Sequence, residues 1–162
     1  MRSARALTET TLLSALLFAA GLLRLPSPVP GSEFQLSAPL AVALCGVFGF
    51  RIYFAAGVLA TALSLLTGTA AAPHALVALT FRLAVGAGYG LLGEGRLFYL
   101  LAGPSGTLAA RAVLAGVLGG GFPALVLAAL PGMAFTAAAA LPMARLLRRC
   151  RAAGPVGSAR QM

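Results

Sequence analysis

Among the side chains able to do chemistry, Arg82 stands apart. It lies inside an apolar run that begins at Ala75, about 10 Å deep at ~1.5 Å per residue. A guanidinium at that depth in lipid costs at least ~2.5 kcal/mol, and such residues usually mark function. Its helical face carries Ala78, Gly86 and Tyr89, so small neighbours leave room beside it and Tyr89 adds a ring. Two roles are open to Arg82. It can grip a carboxylate or phosphate in two-pronged fashion, or brace a helix bundle through a salt bridge or bonds to helix-end carbonyls. Glu33 and Gln35, on the same side, either complete a pocket with it or solvate the boundary. His74 follows Pro73 at a helix start, where it is a polar cap or a ligand contact. Arg111 is expected near the inner end of the fifth apolar run, from which it can snorkel to the interface.

Other chemistry is scarce. The chain has three acidic residues (Glu9, Glu33 and Glu94, with no aspartate) and one histidine. An acid–base pair or a three-ligand metal site is hard to assemble from these. No phosphate loop or nucleophile motif is present. The expectation is therefore no catalytic residues, no metal and no cofactor. Cys45, in an apolar run, and Cys150, in a basic tail, read as unpaired thiols.

The elements that position Arg82 follow from composition. Sixty per cent of the 162 residues are hydrophobic and 9% are charged, against about 25% charged in soluble domains. The net charge of +9 is carried by twelve arginines. They sit at the chain ends and in breaks between apolar runs, as in the flanks of a membrane protein, and form no single basic face for nucleic acid.

The first run, Thr8 to Leu25, follows Arg2 and Arg5, and its rival reading is a cleaved signal peptide. Three prolines and a glycine between Pro26 and Glu33 break the chain. Phe34 to Ala72 would measure about 60 Å as one helix, twice the hydrocarbon thickness. Two spans are predicted there, with the turn at Gly49-Phe50-Arg51. Ala75 to Leu92 is the fourth span. Leu97 to Ala102 is expected to lie at the interface, and Gly103-Pro104-Ser105-Gly106 to turn. Thr107 to Leu130 is the fifth span, Pro131-Gly132 a second turn, and Met133 to Leu147 the sixth span.

The expected fold is all-α, a six-helix transmembrane domain over residues 1–151 with a disordered cytoplasmic tail over 152–162. Six spans put Arg2, Arg5, Arg51, Arg96 and the C-terminal cluster on one side, with only Arg24 opposite. By the positive-inside rule both termini are cytoplasmic, in the cell membrane. Small residues four apart, Ala15/Ala19, Gly86/Gly90 and Gly116/Gly120, are spaced for helix packing.

Leu12 to Gly21 with its Ala15-x-x-x-Ala19 spacing, the Pro-rich stretch Leu23 to Gly31, the Gly49-Phe50-Arg51 turn, Gly86 to Gly90 and Pro131-Gly132 come in a telling order. In this order the chain resembles the substrate-binding (S) components of energy-coupling-factor vitamin transporters, and most strongly so over about its first 70 residues. The resemblance implies a six-helix subunit that captures a micronutrient for a coupling membrane subunit and two ATPase subunits. It implies that Ala15 and Ala19 face the coupling subunit, that the loop Pro26 to Gln35 lids the pocket, and that Arg82 lies among the lining helices. The loop is most like that of biotin-type members, but these carry an acidic residue late in the chain, and nothing here is acidic after Glu94. No tryptophan is present to stack on a thiamin-like ring. Two other classes remain open: a structural or assembly membrane subunit with Arg82 as a strut, and a small oligomeric channel with Arg82 lining an anion path.

Overall fold

The computed structural model describes residues 2–26 and 33–153, with side chains over 6–23 and 36–152. Among these residues the chain forms six helices and one short hairpin. They are α1 (Arg2–Leu22), β1 (Arg24–Pro26), β2 (Glu33–Gln35), α2 (Ser37–Phe48), α3 (Phe50–Leu66), α4 (Ala72–Leu92), α5 (Arg96–Leu118) and α6 (Phe122–Ala153). The all-helical expectation holds. Pro26 to Glu33 was read as a helix-breaking connection between apolar runs ending at Leu25 and starting at Phe34; the ends of those runs instead join a hairpin, in which Arg24 pairs with Gln35, Leu25 with Phe34 and Pro26 with Glu33, antiparallel. The rest of that loop and the tail from 154 onward lie outside the described residues.

The packing has a membrane protein's logic. Small residues fill the interior: Ala41, Ala43, Ala56, Ala102, Ala140 and Ala144 are all buried. Leucines face outward, among them Leu12 at 70%, Leu127 at 69% and Leu91 at 86% exposure. Water would drive leucine inward, whereas lipid offers no such force and close backbone approach decides. Helices α4, α5 and α6 are each long and apolar enough to cross a bilayer. Helix α2 has only 12 residues, about 18 Å, and is buried from Pro39 to Gly46. Apolar on every side, it is the centre of the bundle.

The break at Gly49 falls where it was predicted. Its φ of 82° lies in the left-handed region that a side chain disfavours, and its N–H caps α2 on the Cys45 carbonyl at 3.0 Å. Pro73 opens α4 in its first turn, where its missing N–H costs nothing.

Two predicted turns are not turns. Gly103–Gly106 lies inside α5 and Pro131-Gly132 inside α6. The limits predicted for the fifth and sixth spans therefore shift, and Leu97 to Ala102, read as a separate short segment, is the first part of α5. Proline in a helix removes one N–H donor, but membrane helices tolerate it when hydroxyls and neighbouring helices take up freed carbonyls. Pro104 and Pro131 free the carbonyls four residues earlier, those of Leu100 and Leu127, while the hydroxyls nearby bond other carbonyls: Thr107 Oγ1 donates to Gly103 at 3.0 Å and Thr136 Oγ1 to Gly132 at 2.8 Å. The two glycines serve contact: a Cβ at Gly103 would collide with Thr136, and one at Gly106 with Phe81. The real break is Gly119-Gly120-Gly121, with φ values of 76°, 147° and 80°.

Of the small-residue pairs, only part packs inside the bundle. Gly86 admits the Phe50 ring, while Gly90 and Gly116 have nothing near and Gly120 is in the turn. Ala15 and Ala19 lie on the exposed face of α1, opposite buried Leu13, Leu17 and Ala20.

Candidate functional site

A cavity of about 180 Å³ opens among α1, α2, α3, α4 and α5. An engineered apolar cavity of about 150 Å³ is known to hold benzene, so a small organic solute has room. On α1 the wall ends at Gly21 and on α2 it resumes at Ser37, before and after the hairpin segment, so the hairpin connects the two lining helices at the cavity's end.

Arg82 is on the wall. Since α4 starts at Ala72, Arg82 is about 15 Å along the helix, a turn deeper than sequence implied. Its side chain crosses to α3, where Tyr53, Gly57 and Thr61 recur every four residues on one buried face. Arg82 Nη1 donates to Thr61 Oγ1 at 2.6 Å, and that hydroxyl donates to the Gly57 carbonyl at 3.0 Å. Gly57 is needed because a Cβ there would collide with Arg82 Nε and Cδ.

Two polar atoms remain unmatched beside one another's helices. Arg82 Nε and Tyr53 Oη are buried and have no hydrogen-bond partner among the described residues. Buried polar groups are nearly always paired, and an exception needs an explanation such as an absent ligand or water. Thr61, Ser64, Ser37 and Thr107 add hydroxyls to the wall, and Leu17 and Phe81 add apolar surface.

The structure redistributes the predicted contacts. His74 lines the cavity and has interactions of its own. Tyr89 does not line it. Two turns past Arg82, its ring meets Phe98 edge-on at 5.4 Å. The backbones of Glu33 and Gln35 belong to β2, and their side chains lie outside the described residues. Arg111 corrects the sequence reading most. With α5 starting at Arg96, it falls in the half of the helix near Leu118, on the cavity wall, and not near the start of a helix.

Sequence reasoning missed Tyr53, Gly57, Thr61 and Arg111. The four-residue spacing of the first three was a usable signal. Arg111 had none, because its side of the bundle depends on where α5 begins.

The opposite end of the bundle is tied together. Arg148 pairs with Glu94 and donates from Nη2 to Tyr99 Oη at 2.8 Å. Arg151 donates from Nη1 to the Val47 carbonyl at 2.9 Å and stacks over Phe48 at 4.8 Å. These bonds join the end of α6 to α2 and to the α4–α5 turn. Cys45 is buried and Cys150 exposed, both as free thiols. No cluster of three metal-ligating side chains occurs among the described residues.

A membrane-type helical bundle with a cationic, half-apolar cavity is thus the class of protein defined here. The chain is 42% identical over 141 residues to Protein BioX of Lysinibacillus sphaericus, a match covering 87% of this chain and 85% of that protein. It belongs to the BioX family. No family model matches it, and no solved structure does.

Proposed function

We propose that this chain is the membrane solute-capture subunit of an energy-coupling-factor type uptake transporter for a vitamin-like micronutrient. It crosses the cell membrane six times, with both termini in the cytoplasm. Arg82 grips an acidic group of the solute, and the segment carrying Glu33 and Gln35 covers the cavity. The subunit catalyses no reaction. Energy comes from a coupling membrane subunit, docked on Ala15 and Ala19, and its two ATPase subunits.

The observation that carries the reading is Arg82, a cationic residue of the cavity wall whose buried Nε has no acceptor among the described residues. Membership of the BioX family supports it, as does the likeness to substrate-binding components over the first helices. Biotin, the solute of the members whose loop is most similar, is the first compound to test.

The bond from Arg82 to Thr61 favours a second reading, in which Arg82 is an internal strut of a structural or assembly subunit. Arg82→Ala separates the two. Under the capture reading, the purified variant folds but loses solute binding by about tenfold or more, the worth of a charge-assisted bond. A variant that fails to fold in detergent, with Arg82→Lys restoring the fold but changing no binding, supports the strut. Ion flux in liposomes without any ATPase would instead identify a channel.

A further inference from the structure

The capture reading leaves Arg111 unused, and the cavity gives it a role. Arg82 and Arg111 both line this space, reaching it from α4 and α5. Guanidinium groups stay protonated in proteins, so the wall carries two positive charges. None of the lining residues is acidic. Arg111 is half-buried and has no ion pair or hydrogen bond among the described residues. Two uncompensated cations around one half-buried space repel one another and lose solvation. A single acidic group neutralises one of them.

The surfaces between them are of another kind. Leu17, Phe18, Val77 and Phe81 give apolar contact, and Ser64 and Thr107 give isolated hydroxyls. Pockets of this composition bind an apolar body through its mass and fix its ends through a few polar groups.

We infer that the cavity takes a solute bearing two separate anionic groups joined by an apolar spacer, one group held by Arg82, which Thr61 positions, and the other by Arg111. The inference rests on the capture reading and narrows its substrate class. It makes Arg111 a second binding residue and disfavours biotin, which has one carboxylate, as the best-fitting ligand.

The test uses the full chain purified in detergent. Its probes are straight-chain α,ω-dicarboxylates of graded length, the monomethyl ester of each, and biotin, with binding followed by calorimetry. The wild type is expected to bind one dicarboxylate about tenfold or more tighter than its monoester. Arg111→Gln is expected to erase that preference while leaving thermal unfolding unchanged, and Arg111→Lys to restore part of it. Equal affinity for diacid and monoester, tighter binding of biotin, or an unchanged preference in Arg111→Gln overturns the inference. Each of those results leaves the capture reading standing, with Arg111 reaching the headgroups instead. If the wild type binds none of these probes and Arg82→Ala fails to fold, both fall together.

Discussion

Arg82 on α4 and Gly57 on α3 occupy one another's space: the guanidinium stem lies where any Cβ at position 57 would stand. The missing methyl lets the cation lie flat against α3 and reach Thr61. Helix packing and the placement of the charge are therefore one feature, not two.

Gly57→Ala should expose this coupling. The added methyl pushes Arg82 off α3 and breaks its bond to Thr61, costing about 1–3 kcal/mol as overpacking does. Gly90→Ala, on α4 with open space around it, should be neutral or stabilising by up to ~1 kcal/mol, since alanine favours the helix. Thermal unfolding in detergent compares the two, and equal midpoints would mean that the Gly57 contact has no energetic weight.

Tyr53→Phe removes a buried hydroxyl that has no partner. Loss of an unsatisfied group relieves its desolvation penalty, so the ligand-free protein should unfold at the same or a higher temperature. Tyr53 does not line the cavity, so solute affinity in the same variant should change by less than about tenfold. A more stable variant with intact affinity assigns Tyr53 to packing alone.

On the outer face of α1, Ala15 and Ala19 present a small-residue stripe to lipid or to another chain. Ala15→Leu combined with Ala19→Leu should leave the fold and solute binding intact, because neither residue packs inward. Co-purification with the coupling subunit should drop sharply, as bulky side chains prevent close approach. Unchanged recovery of that subunit moves the contact elsewhere.

At the other end, Arg148 and Glu94 are both about half exposed. Glu94→Gln should therefore cost less than ~1 kcal/mol, as exposed ion pairs do. Gly46→Ala should cost more, because its methyl lands in the buried Tyr99 ring and dislodges the hydroxyl that Arg148 bonds. Unfolding midpoints of the two variants should differ in that order.

Much of this protein is readable from its residues taken in order. Apolar runs too long for one crossing, with arginines in their gaps, dictate a helical bundle in lipid. Gly49 beside Arg51 marks a turn because both the backbone and the charge demand it. Arg82 declares itself because a cation amid apolar residues is expensive wherever the helix goes. The limits of α5 and α6 were decided by the fold alone. Gly103-Pro104 and Pro131-Gly132 have the composition of turns, yet both lie inside helices, and only Thr136 and Phe81, brought close from other helices, make Gly103 and Gly106 contact points. That choice moved the break to Gly119–Gly121 and carried Arg111 to the cavity. Local sequence reports what a segment can do in isolation. The side of the bundle on which a charge emerges depends on which helix is packed against it.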